Sequence, residues 1–119
     1  MWQTQICIIM STFKFSRHYD SPIYELSGGE ARLAELYLVL YSDAPFFILD
    51  EPFTQVDPVN NEYVKAMIRE QARDHGIIIT DHNYDAISIV ADNLFVIADG
   101  YTNQVRSRED LVRHGYLRE

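Results

Sequence analysis

Phe46-Phe47-Ile48-Leu49-Asp50-Glu51-Pro52 is the stretch that decides how this chain folds. Four apolar residues run without a break from the turn-forming Ser42-Asp43-Ala44-Pro45, and two acids and a proline stop them. An apolar run this short, bounded in this way, predicts a strand covered on both faces, as in a parallel sheet. Its acids would then stand at the C-terminal edge of the sheet, where open α/β folds bind their ligands. Adjacent carboxylates at such an edge can divide labour. Asp50 is placed to hold Mg²⁺ through water, and Glu51 to orient and deprotonate a water that attacks phosphorus. Seen alone, the same pair serves equally well as a polar strand end capping the next segment.

Working outward toward the N-terminus, Leu33, Leu36, Tyr37, Leu40 and Tyr41 recur at three- and four-residue steps, which predicts a helix over Ala31 to Tyr41. Leu26-Ser27-Gly28-Gly29-Glu30 stands at its start. A small hydroxyl and two residues without side chains let backbone N–H groups approach an anion at the positive end of the helix dipole. A serine cap before an ordinary helix gives the same pentapeptide.

Toward the C-terminus a second helix is expected from Pro58, with Asp57 as N-cap, Tyr63, Met67 and Ile68 facing inward, and Gly76 beyond its end. Ile77-Ile78-Ile79 repeats the buried-strand pattern. If this strand runs parallel to Phe46–Leu49, His82 of Thr80-Asp81-His82 lands on the same edge as Asp50 and Glu51. It then becomes a candidate for reading a γ-phosphate. His18, His75 and His114 have no such company and are read as surface residues. A short helix from Tyr84 to Ala91 leads to a strand over Leu94 to Ala98, and Asp99-Gly100 predicts a tight hairpin into Tyr101 to Val105. A last helix should open at Ser107, with Asp110 completing a capping arrangement, and close at Gly115. Alternating strands and helices of this kind are the grammar of a parallel α/β sheet.

Composition narrows the function. The 119 residues, 47% of them apolar, suit one modest core, and the formal net charge of −8 argues against binding a phosphate backbone, so no nucleic-acid partner is expected. A single cysteine, Cys7, leaves no disulfide framework or thiolate cluster, which fits a reducing compartment. The run Ile6-Cys7-Ile8-Ile9-Met10 is far short of the roughly 20 residues a membrane helix needs, and neither signal peptide nor anchor is read.

Taken in order, Leu26–Glu30, the apolar strand ending Leu49-Asp50-Glu51-Pro52, Phe53–Asp57 and His82 resemble the signature, Walker B strand, D-loop and switch histidine of the ATP-binding cassette (ABC) ATPases. The Ile-Thr-Asp-His-Asn run looks most like the lipopolysaccharide-export type. The resemblance covers about residues 20 to 119. It implies a P-loop NTPase-like (RecA-like) α/β fold, a parallel sheet flanked by helices with a C-terminal β-hairpin and helix. Residues 26–119 would be the C-terminal half of the catalytic domain and residues 1–25 a tail or remnant of its helical subdomain. It also implies ATP and Mg²⁺ as ligands. Ser27, Gly28, Gly29 and Glu30 would meet the γ-phosphate of a nucleotide held by a partner. Asp57 would couple the two sites, Asp50 would hold the metal through water, and Glu51 and His82 would be catalytic. Departures from the family pattern are Glu30 for glutamine, Gln55 where a small residue is usual, and Leu33 and Leu38 where arginine is frequent.

A Walker A loop requires Gly-x-x-x-x-Gly-Lys-Ser/Thr, and the sequence has no glycine before Gly28 and no Gly-Lys pair. The expectation is therefore an ATPase component that is inactive alone and pairs, as homo- or heterodimer, with an ABC subunit carrying Walker A. It would sit in the cytoplasm, or at the inner membrane through a transporter subunit. A non-enzymatic module that modulates a complete ATPase, or an inactive truncated remnant, are the alternatives. The family's Walker A strand would lie between Ile77–Ile79 and Leu94–Ala98, and Gln5 to Met10 is a candidate to fill that slot.

Overall fold

The computed structural model describes residues 22–118; the stretch from Gln5 to Met10 and His18 lie outside them. The chain divides into two compact units, with the boundary between Asn83 and Tyr84.

The first unit opens with a single 3₁₀ turn, Ile23–Glu25, followed by helix α1, Gly28–Leu40. Ser27 is the N-cap, and a reciprocal capping box closes the start. The Ser27 hydroxyl accepts from the Glu30 N–H at 3.1 Å, and the Glu30 carboxylate accepts from the Ser27 N–H at 3.0 Å. Strand β1, Phe46–Asp50, leads through a turn to helix α2, Pro58–Gln71, which Asp57 caps as expected, and then to strand β2, Gly76–Thr80. β1 and β2 pair in parallel, with Ile48 opposite Ile78 and Asp50 opposite Thr80. Helices α1 and α2 pack together. Their buried stripes are Leu33, Leu36, Tyr37 and Leu40 on one and Val64, Met67 and Ile68 on the other.

Burial of β1 differs from the expectation. Phe47 and Leu49 are buried, but Phe46 is 72% and Ile48 73% exposed, and on β2 Ile78 is 61% exposed. Side chains alternate across a strand, so β1 has one covered face and one uncovered face among the described residues. An unbroken apolar run shows that both faces are apolar, not that both are covered. Tyr63 is likewise exposed, because Val64, Met67 and Ile68 set the inward line of α2 and Tyr63 lies a full step round the helix from Val64. His75 is not a free surface residue. It is half-buried against the Phe47 ring at 5.0 Å, with its Nδ1 3.0 Å from the Gln71 carbonyl.

The second unit begins with helix α3, Tyr84–Val90, which buries Ala86 and Ile87. Strands β3, Leu94–Ala98, and β4, Tyr101–Val105, form an antiparallel hairpin. Asp99 and Gly100 both have positive φ, 51° and 80°, the conformation a two-residue hairpin turn requires. Helix α4, Arg108–Arg113, is capped by Ser107. Asp110 reaches back one residue further than a capping box does, accepting from the Arg106 N–H at 2.9 Å, and this bond holds its carboxyl below the usual range. At the other end Gly115, φ 72°, closes a Schellman motif through the bonds Tyr116 N–H to Leu111 and Gly115 N–H to Val112. A small core of Val96, Val105 and Leu111, flanked by Tyr84, Leu94 and Leu117, holds the unit together.

Among the described residues β2 pairs with β1 alone and β3 with β4 alone, so the parallel sheet has two strands. No helix among them is long and apolar enough to cross a membrane.

Candidate functional site

Parallel pairing of β1 with β2 brings their C-terminal ends to one edge, and with them Asp50, Glu51 and His82. His82 Nδ1 lies 3.5 Å from Glu51 Oε1, and both side chains are well exposed. Thr80, directly opposite Asp50, donates its hydroxyl to Asp50 Oδ1 at 2.6 Å, and Glu51 donates its N–H to the Thr80 carbonyl at 2.6 Å. An aspartate at a strand end with one oxygen anchored by a hydroxyl offers hard oxygen donors of the kind Mg²⁺ takes alongside water and substrate phosphates. Asp50 thus offers oxygen donors by itself, for among the described residues no group of three His, Cys, Asp or Glu is gathered closely enough to hold a metal ion.

The turn from Glu51 to Gln55 is tightly determined. Phe53 donates its N–H to Asp81 Oδ2 at 3.2 Å, and Asp81 Oδ1 also accepts from the Asn83 N–H at 2.9 Å. The Asp81 side chain is only 1% exposed and stands 3.9 Å from His82 Nδ1, so it ties the loop after β1 to the loop after β2. Thr54 closes the turn on the Glu51 carbonyl at 3.1 Å. Beside this turn lies an open cleft of about 490 Å³ lined by Gly28, Arg32, Glu51 and Gln55 among others. Gly29 faces the Gln55 carbonyl, which a Cβ at Gly29 would approach to 3.4 Å.

The other expected residues are placed as follows. Ser27 and Glu30 are joined to each other in the capping box, so the serine-cap reading of the pentapeptide is realised in full. A hydroxyl that accepts an N–H can still donate its own proton, so this cap does not disqualify Ser27 from an anion site. Asp57 caps α2 with one oxygen and accepts from the Asn60 side chain at 2.6 Å with the other; it does not line the cleft.

Three residues of the site escaped the sequence reading. Thr80 and Asp81 belong to the Thr80-Asp81-His82 segment; the signal of Thr80 is its place at the strand end opposite Asp50, and that of Asp81 is its place directly after that strand. Arg32 is the third. At positions 33 and 38, where arginine is frequent in the family, this chain has Leu33, buried in the core, and Leu38, exposed. The arginine one residue earlier reaches the carbonyls of Asp50 at 2.8 Å and Glu51 at 3.3 Å.

The parallel β–α–β pair, with adjacent acids and a histidine at its C-terminal edge beside a helix opening Ser-Gly-Gly, is an α/β arrangement, and its likeness to solved ATPase structures makes it part of a P-loop-type NTPase fold. Known proteins agree. No family model matches the chain. An uncharacterized ABC transporter ATP-binding protein of Rhizobium meliloti is 36% identical over 116 residues, 92% of this chain and 43% of its own length. The lipopolysaccharide export system ATP-binding protein LptB of Escherichia coli K12 is 36% identical over 95 residues, 78% of this chain and 39% of its own. A solved ATP-binding cassette of an ABC transporter superposes with a TM-score of 0.68 at 27% identity, covering 88% of this chain and 42% of that one. The chain spans about two fifths of the length of these relatives. In sequence and in fold it resembles the ABC ATPases, and the likeness to the lipopolysaccharide-export type fits the same comparisons.

Proposed function

We propose that this chain contributes the signature and Walker B side of an ATP-hydrolysing site in an ABC-type ATPase, as part of a transporter's ATP-binding subunit at the cytoplasmic face of the membrane. The observation that carries this reading is the meeting of Glu51 and His82 at 3.5 Å beside Asp50 on one sheet edge. In it Glu51 orients a water and accepts its proton as the oxygen attacks the γ-phosphorus, the bond to the β-phosphate oxygen breaks, and ADP leaves. His82 holds the γ-phosphate in line. Mg²⁺, with Asp50 behind its water shell, would supply charge neutralisation on the phosphates. Ser27 and the N–H groups at Gly28 and Gly29 would face the nucleotide of a partner subunit. The Walker A loop comes from outside these 119 residues.

The test mixes the full chain with an ABC ATPase subunit bearing an intact Walker A loop and measures phosphate release. Turnover should appear, and Glu51→Gln should lower it by roughly 100-fold or more, the usual contribution of a positioned base. Turnover indifferent to Glu51→Gln sinks the assignment of the base.

A further inference from the structure

We infer that Arg32 is a positioning residue for Glu51, linking the start of α1 to the base; the inference rests on the reading of Glu51 as that base. Glu51 has φ 49°, in the left-handed region that a residue with a long side chain seldom adopts. Something must hold it there, and the bonds are visible. Its N–H is fixed on Thr80 and its carbonyl accepts from Thr54 N–H at 3.1 Å. The Thr54 hydroxyl also donates to Glu51 Oε2 at 3.4 Å, and from α1 comes the Arg32 guanidinium, whose Nη2 bridges the carbonyls of Asp50 and Glu51 while Nη1 is steadied by Glu35 at 2.8 Å. The Arg32 side chain is three-quarters buried, so its planar fork is restrained and not free to swing into solvent.

Thr80 and Thr54 belong to β2 and to the turn itself. Arg32 alone among these supports comes from α1, five residues after Ser27. It therefore connects the turn proposed to meet one nucleotide with the carboxylate proposed to act on another. The two peptide carbonyls it holds flank the Glu51 Cα, so they set the direction in which the side chain leaves the backbone toward His82. Without the guanidinium only the Thr54 bonds oppose rotation of the peptide after Glu51 toward an ordinary φ, and that rotation carries the carboxylate away from the imidazole.

Two measurements test this. In the reconstituted mixture, Arg32→Ala should lower kcat by roughly 100-fold, the effect of misplacing a reacting group by about 1 Å, with KM for ATP unchanged. Arg32→Lys, whose ammonium reaches one carbonyl, should restore part of kcat. If Glu51→Gln abolishes turnover but Arg32→Ala does not, the inference falls and the base assignment stands. If Glu51→Gln has no effect, both fall together. The second measurement needs no turnover. In the isolated full chain, the nuclear Overhauser contact between the Glu51 side chain and the His82 ring should vanish in Arg32→Ala while far-ultraviolet circular dichroism is retained. A contact that persists in a folded Arg32→Ala chain overturns the inference whatever the kinetics give, and a chain that unfolds is replaced by Arg32→Gln under the same criterion.

Discussion

Each unit of this chain has a turn that bends the backbone into the left-handed region, and the two do so on opposite terms. In the second unit the residues are Asp99 and Gly100, φ 51° and 80°, an aspartate that tolerates this conformation and a glycine that has no Cβ to clash. In the first unit they are Glu51 and Gln55, φ 49° and 62°, neither of which is suited to it. For ordinary residues the conformation costs about 1–2 kcal/mol each. The hairpin turn is formed by its own residues. The turn after β1 is imposed by its surroundings: Arg32, Thr80 and Asp81 grip it from α1, β2 and the loop after β2. Strain that persists because neighbours over-determine it collects at functional sites, and here it coincides with the proposed base.

The largest effect expected is on the core of the first unit. Leu40 is fully buried, so Leu40→Ala should lose about 2–5 kcal/mol, read as a fall in the urea midpoint. Leu111→Ala in the second unit should lie at the low end of that range, since a core of three buried residues can collapse around the gap more readily. Equal losses would mean that the two cores are built to the same tightness. Next in size, Gly100→Ala adds a Cβ at φ 80° and should cost about 1–2 kcal/mol.

Smaller, and opposite in sign, is Gln55→Gly. Relief of the left-handed strain should outweigh the extra freedom glycine brings to the unfolded chain, for a net gain of up to about 1 kcal/mol. Asp99→Gly should gain nothing comparable. A chemical-denaturation series of the two variants decides the matter: if both shift alike, the turn after β1 is no more strained than the hairpin.

The same contrast governs how much could be read from the sequence. Asp99-Gly100, Ser107 and Gly115 act through local backbone chemistry, so the hairpin and the last helix were legible to within a residue or so. The positions of Asp50, Glu51 and His82 on one edge were legible too, because a strand's end and its direction follow from the apolar runs and their connection. What escaped depends on contacts between segments distant in sequence. Nothing near Phe46 or Ile48 says whether a second layer covers them, and they lie exposed. Tyr63 and His75 were misplaced because a helix's inward line and a ring's stacking partner are chosen by the neighbour. Arg32 is 18 and 19 residues from the carbonyls it holds, and no local pattern marks that reach.

The smallest effect expected concerns the far ends of α1 and α2, away from the strained turn, where Tyr41 donates its hydroxyl to Glu70 at 2.9 Å and stacks on Tyr37 at 5.5 Å. Burial first, then the Glu70 bond and charge, push the Tyr41 hydroxyl up from 10.0 to about 12. Tyr37 is raised further, mainly by burial. Because these folded-state values lie above the unfolded one, the unfolded chain gives up its phenolic protons first as pH rises. The contribution to stability is thus complete below pH of about 10 and is lost as the pH climbs through about 12. The urea midpoint should decline over that window, and Tyr41→Phe should make the decline shallower by removing one of the two titrating groups. An undiminished slope in Tyr41→Phe would assign the alkaline loss to Tyr37 or to groups outside this pair, and would leave the Tyr41–Glu70 contact as a hydrogen bond without influence on when the fold gives way.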